Sequence, residues 1–254
     1  MQQATFRFYA ELNDFLSPER RKMAFSHPVA PRASVKDVIE ALGVPHTEVE
    51  LILVNGVPVG FGYTVLPADR ISVYPAFRSL EPCCPLLLRP RLQDFRFVLD
   101  THLGRLARYL RMLGFDALYE SACDDHRLSG ISARSRRVLL TRDRGLLKRG
   151  EVTYGYFVRA TEPRTQLVEV FRRFNLFHAV APFRRCMCCN FLLEPVSKES
   201  VCDRLPRRTG QRYNDFFICR SCDRVYWAGS HHEHMQRFIE RMLRSAPPKF
   251  QDPP

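Results

Sequence analysis

No stretch of this sequence approaches the roughly 18 consecutive apolar residues that a membrane-crossing helix requires, so no membrane partner is expected. The opening segment, MQQATFRFYAELNDF, lacks the apolar run of a secretion signal. No internal repeat is visible. Acidic residues are in short supply: 27 Asp and Glu stand against 39 Lys and Arg, a net charge of +12. That imbalance points to a polyanionic partner such as nucleic acid. It is also unevenly spread. The first 80 residues hold eight basic and eight acidic side chains, so the whole excess falls after residue 80. Nine cysteines, an odd number without a secretion signal, predict a soluble protein of the reducing cytoplasm. In that setting cysteine pairs bind metal rather than form disulfides.

Hydrophobic periodicity divides the chain. Phe6, Phe8 and Ala10 alternate along a first strand, and a second is expected around Lys22–Ser26. Ser34 caps a helix with Val35, Val38, Ile39 and Leu42 on one face and Gly43 at its end. Asn55-Gly56 marks a hairpin inside LILVNGVPV, and Pro67–Arg70 a turn before a last strand, ISVYPAF. Strand, strand, helix and strands within 80 residues is the β-grasp order, an α+β fold. Residues 81–93, with three prolines, read as a linker that docks through Leu86–Leu88. From Asp94 to 183, short apolar strands (FRFVL, DALYE, RVLLT, GYFVRA) alternate with helices at 103–113, 124–135 and 165–174. This is an α/β pattern and predicts a parallel sheet with right-handed crossovers. Periodicity fades in residues 184–245 apart from a helix near His232–Leu243, and the tail, 246–254, reads as disordered.

Cys186-x-x-Cys189 and Cys219-x-x-Cys222 form two knuckles 29 residues apart. Together they offer four thiolates to one tetrahedral Zn²⁺, a closed and therefore structural set. Cys188 and Cys202 are surplus and stand as alternative ligands. Arg204, Arg207, Arg208 and Arg212 lie between the knuckles, as phosphate contacts or as a solvated face. His231, His232 and His234 read as an exposed helix start, with ligand or catalytic roles as the alternative.

Asp100 and Asp143 each follow an apolar strand. Side chains at the carboxyl ends of parallel strands line the ligand crevice of an open sheet. Two acids there repel unless a cation separates them, and an all-carboxylate site suits Mg²⁺ or Mn²⁺. Asp125 is the candidate third acid, with Asp124 as its rival and a better helix cap. Such a cluster supports phosphodiester cleavage. Arg105, Arg108 and Arg111 on the first helix of this region, with Arg142 and Arg144 beside Asp143, suit a phosphate backbone. A solvated helix face is the alternative.

DTHLGRLARYLRMLGFD (100–116), LLTRD (139–143), the cysteine pairs and VYWAGSH (225–231) together resemble the Mut-seven C-terminal RNase domain family over about residues 94–245. The resemblance implies a PIN-like nuclease domain with a zinc ribbon and a metal-dependent ribonuclease site. Asp100 matches the acid after the first strand, Asp125 the middle acid and Asp143 the acid of the T-R-D motif. Where the family pattern implies a further acid after the middle one, this chain has His126-Arg127. Residues 1–80 resemble the ubiquitin-like domain fused ahead of such nucleases, itself similar to small sulfur carriers, through LVNGVPV and DRISVYP. Those carriers need a terminal Gly-Gly. Here the strand runs on into Ala76-Phe77-Arg78-Ser79-Leu80, which leaves a docking role and a possible protein partner.

Overall fold

The computed structural model describes residues 3–76, 88–90 and 92–244, without the side chains of Arg207, Ser230 and His231. The N-terminal elements are β1 (Gln3–Phe8), β2 (Phe25–Pro28), α1 (Val35–Ala41), β3 (Val49–Val54), β4 (Val57–Pro58) and β5 (Arg70–Pro75). They form a five-stranded mixed sheet in the order β2-β1-β5-β3-β4, with β1 parallel to β5 and its other pairs antiparallel. This is the expected β-grasp arrangement. Strand β2 lies a few residues later than the alternation suggested. Alternation places Phe6, Phe8, Ile52, Ile71 and Val73 inside, against Val35 and Ile39 of α1. Ser34 Oγ accepts the Asp37 amide at 3.1 Å and so caps α1. Leu86 and Leu87 of the docking expectation lie outside the described residues, but Leu88 packs on the N-terminal core. The expected disordered tail also lies outside them.

The chain continues with β6 (Phe97–Leu99), α2 (Gly104–Met112), β7 (Ala117–Tyr119), α3 (Asp125–Ser135), β8 (Val138–Thr141), α4 (Arg144–Leu147), β9 (Gly155–Phe157) and α5 (Pro163–Phe174). Strands β6, β8 and β9 run parallel in that order, as predicted. All four residues of β8 are buried, the mark of a strand covered on both faces. The one-turn helix α4 was not foreseen, because four residues are too short for a periodic signal. Then follow β10 (Glu194–Val196), α6 (Arg207–Arg212), β11 (Phe216–Ile218), β12 (Val225–Trp227) and α7 (Ser230–Arg244). Strands β10, β11 and β12 form an antiparallel sheet that sequence periodicity had missed. Three-residue strands carry too little alternation to be read.

The molecule divides into two compact units, Met1–His102 with Ala122–Phe157, and Leu103–Ser121 with Val158–Pro254. The first unit therefore holds both the N-terminal sheet and the strands β6, β8 and β9. In the second, α2 buries Leu106, Ala107 and Leu110 completely, and Phe115 and Phe177 meet Phe171 of α5 edge-on, both at 5.5 Å. Gly114 closes α2 at φ +94°, and a Cβ there would lie 2.2 Å from the Ala181 carbonyl oxygen, so only glycine fits. Among the described residues no helix is long and apolar enough to cross a membrane.

Candidate active site and candidate metal centre

Asp100 sits at the end of β6, where its amide still donates to the Leu140 carbonyl at 3.0 Å and extends the parallel ladder. Asp100 is 7% exposed. One carboxylate oxygen accepts the Thr101 amide at 2.5 Å and the Thr101 hydroxyl at 3.1 Å, and the other accepts the Thr141 hydroxyl at 2.7 Å. Thr141, wholly buried at the end of β8, also accepts the Asp143 amide at 2.9 Å. One hydroxyl thus ties together the ends of two strands. Sequence reasoning assigned Thr141 no role. Its signal was a hydroxyl closing an otherwise apolar strand, two positions before an acid.

Asp143 caps α4: its Oδ1 accepts the Gly145 amide at 2.6 Å and that of Leu146 at 3.4 Å. Oδ2 has no hydrogen-bond partner among the described residues. The rival aspartates separate in role. Asp124 is the cap of α3, accepting the Arg127 amide at 2.7 Å. Asp125 is the first helical residue, and its exposed carboxylate makes no hydrogen bond among the described residues.

Asp100, Asp125 and Asp143 line one open cleft of about 610 Å³, with Thr101, Arg142 and Arg144 on its wall. Three carboxylates with free oxygens on two of them fit a hard divalent cation by donor chemistry. Their spacing is loose. Among the described residues, only the cysteine quartet brings three or more candidate ligand atoms within 4.8 Å of one another. His126, in the place of the further acid, meets Arg149 at 3.3 Å.

The cysteine quartet is compact. Cys186 and Cys219 are buried, Cys189 and Cys222 half-buried. Each knuckle is shaped by the same backbone contacts. The Cys186 amide donates to the Phe191 carbonyl and the Asn190 amide to that of Cys186; Cys219, Arg224 and Asp223 repeat the pattern. Asn190 and Asp223 take the positive φ that turns the chain. Sulfur separations of 3.5 Å (Cys186–Cys222) and 3.3 Å (Cys189–Cys219) are too long for a disulfide. They approach the roughly 3.8 Å edge of a tetrahedron with Zn–S bonds of about 2.3 Å. Burial raises the Cys186 thiol, but hydrogen bonds from the Tyr226 hydroxyl and the Cys189 and Cys188 amides bring it down to about 6. Cys188 and Cys202 are exposed and stand outside the group. His232 lies instead against the Phe183 ring at 4.0 Å, and His234 is exposed.

The arginines expected to bind RNA divide as well. Arg105, Arg108 and Arg208 are exposed, and Arg142 lines the cleft half-buried. Arg111 is a correction. It is 3% exposed, donates to the Ala117 carbonyl at 2.8 Å and to the Cys188 carbonyl at 2.6 Å, and so holds the first knuckle against β7. Recurrence every third residue on α2 put it beside Arg108, but the helical turn carries it inward.

No curated protein and no solved structure matches the chain. The family model described as Mut7-C ubiquitin matches residues 1–81. The model described as Mut7-C RNAse domain matches residues 95–239, more than half of the protein, and the chain belongs to that family.

Proposed function

We propose that this protein is a Mg²⁺- or Mn²⁺-dependent ribonuclease that hydrolyses RNA phosphodiester bonds in the cytoplasm. The observation that carries the reading is the convergence of Asp100, Asp125 and Asp143, from three separate elements, on one cleft with arginines on its wall. Asp100 and Asp143, linked through Thr141, would hold the cation between two strand ends, and Asp125 would close the set from the start of α3. A divalent ion held there would supply Lewis-acid polarisation of a phosphoryl oxygen and activation of water. Arg142 and Arg144 take the negative phosphate, and exposed Arg105, Arg108 and Arg208, on the second unit, offer further phosphate contacts. The cysteine quartet holds a structural Zn²⁺ and takes no part in the chemistry.

A second reading, a non-catalytic RNA-binding adaptor, is favoured by the loose spacing of the carboxylates and by His126-Arg127 where a further acid is implied. The two separate in one experiment. Labelled single-stranded and structured RNA is incubated with the full chain in Mn²⁺ or EDTA, alongside Asp100→Asn and Asp143→Asn. Metal-dependent cleavage lost in both variants, by about a hundredfold or more for several kcal/mol of lost charge stabilisation, is the expected result. Cleavage that survives in EDTA or in both variants overturns the site, and binding without cleavage establishes the adaptor.

A further inference from the structure

In the first unit the β-grasp domain is docked on the β9 edge of the parallel sheet through its residues Glu40 and 46–48. Glu48, fully buried, accepts the Phe157 amide at 2.6 Å. A His46 ring nitrogen lies 2.8 Å from the Val152 carbonyl oxygen, and Lys148 donates to the Glu40 carbonyl at 2.6 Å. Gly155 lets the two surfaces close, since a Cβ there would meet Leu147 at 2.6 Å and Thr47 at 3.2 Å. Side-chain-to-backbone hydrogen bonds from both sides of the contact make a fixed joint rather than a tethered pair of domains.

The joint reaches the acidic cleft at one point. Phe15, 5% exposed, meets Phe157 edge-on at 5.5 Å. The Arg144 guanidinium carbon lies 5.1 Å from the centroid of Phe15 and 5.5 Å from that of Phe157. Phe157 and Arg144 both line the cleft, and Arg144 has no carboxylate partner among the described residues. An arginine held by aromatic rings keeps in-plane N–H donors for a phosphate. Without the rings it is a flexible side chain that must be ordered at each binding event.

We infer that the β-grasp domain supports the nuclease cleft. Phe15, together with Phe157, acts as a positioning residue that holds Arg144 for the phosphate of bound RNA. The inference rests on the RNA-cleaving reading for its substrate, but its test does not depend on cleavage. The N-terminal domain in this respect supports the cleft wall from behind, through Phe15, without lining the cleft itself.

The test is a double-mutant cycle on the full chain with Phe15→Leu, Arg144→Lys and the two combined. Two readouts are taken: cleavage kinetics on single-stranded RNA in Mn²⁺, and affinity for the same sequence as a non-cleavable 2′-O-methyl oligonucleotide. Each single variant is expected to raise KM and the dissociation constant about threefold to tenfold, the scale of a partly buried cation–π contact. The pair should be no worse than Arg144→Lys alone, which a purely structural role of Phe15 does not produce. Phe157→Leu, at a half-exposed position, supplies a second cycle should Phe15→Leu unfold. Multiplying effects, or unchanged affinity in Phe15→Leu, overturn the inference. Binding without cleavage in the unsubstituted protein removes the ribonuclease reading, while coupled losses of affinity still support the inference. Absence of RNA binding overturns both.

Discussion

The cysteine quartet and the aspartate trio both gather ligands from distant positions in the chain, yet they are built in opposite ways. Each knuckle is a short loop that positions its own two sulfurs through its own backbone hydrogen bonds. Only the meeting of two finished knuckles is left to the fold. The aspartates have no such local frame. Asp100 hangs from the end of β6, Asp143 follows β8 as the cap of α4, and Asp125 opens α3. Their convergence depends on strand order and on Thr141, which bonds two of them to one another. A closed, partly buried site built from local loops serves stability. An open, charged site, two of whose three acids retain free oxygens, suits a ligand that comes and goes.

That contrast breaks most severely at the cysteines. One zinc per chain is expected by elemental analysis, and Cys219→Ser should lose it. Apparent binding energies for structural zinc are about 10–16 kcal/mol, so the antiparallel sheet of β10–β12 should then become sensitive to protease. An unchanged zinc content in Cys219→Ser would falsify the assignment.

Arg111 sharpens the same side of the comparison. Arg111→Met leaves the Ala117, Met187 and Cys188 carbonyls without their donor. A loss of about 3 kcal/mol of stability in denaturant unfolding is expected, from several buried bonds to a charged group. Exposed Arg108→Ala should instead leave stability within about 0.5 kcal/mol and weaken RNA binding in a salt-dependent way. If Arg111→Met behaves like Arg108→Ala, the clamp on the knuckle is absent in solution.

On the acidic side the corresponding variant is Thr141→Val, which keeps shape and removes the hydroxyl that serves two aspartates. It should destabilise by about 1–3 kcal/mol, because the Asp143 amide loses its acceptor. It should also lower kcat about tenfold with little change in KM, since misplacing the carboxylates affects the reacting geometry more than phosphate contact. An unaltered kcat would separate Thr141 from the chemistry.

The difference also explains what was legible in advance. The knuckles could be read because Cys-x-x-Cys writes its geometry into adjacent residues. The β-grasp fold was equally clear, since Ser34, Gly43 and Asn55-Gly56 punctuate elements long enough to show their period. Asp100 and Asp143 were found as acids ending apolar strands, but their distance from Asp125 is a property of strand order and loop path. Arg111 was misread because spacing on a helix does not say which face is covered by a later segment, here the first knuckle. The contact of Phe15 with Arg144 joins residues 129 positions apart, and no local pattern encodes it. His126 was visible as a departure from the family pattern, while its neighbour Arg149 was not.

The smallest expected effect concerns the helix that carries Asp125. Glu151 accepts the hydroxyl of Ser129, buried in α3, at 2.7 Å, and the Arg149 guanidinium at 3.0 Å. The Ser129 hydroxyl, its own backbone amide and Arg149 together draw the Glu151 carboxyl down to about 2. A carboxylate whose pKa is lower folded than unfolded stabilises the protein above its unfolded value and loses that contribution as pH falls through the folded one. The window therefore runs from about 4.5 down to about 2. Because the side chain is 40% exposed, solvent screening keeps the contribution small. In urea titrations at successive pH values, Glu151→Gln should lie slightly below the unsubstituted protein near neutrality and meet it at the acid end. Parallel curves across that window would mean that Glu151 does not hold α3. Asp125 would then depend on its helix cap, Asp124, rather than on the side chain that binds the first turns from below.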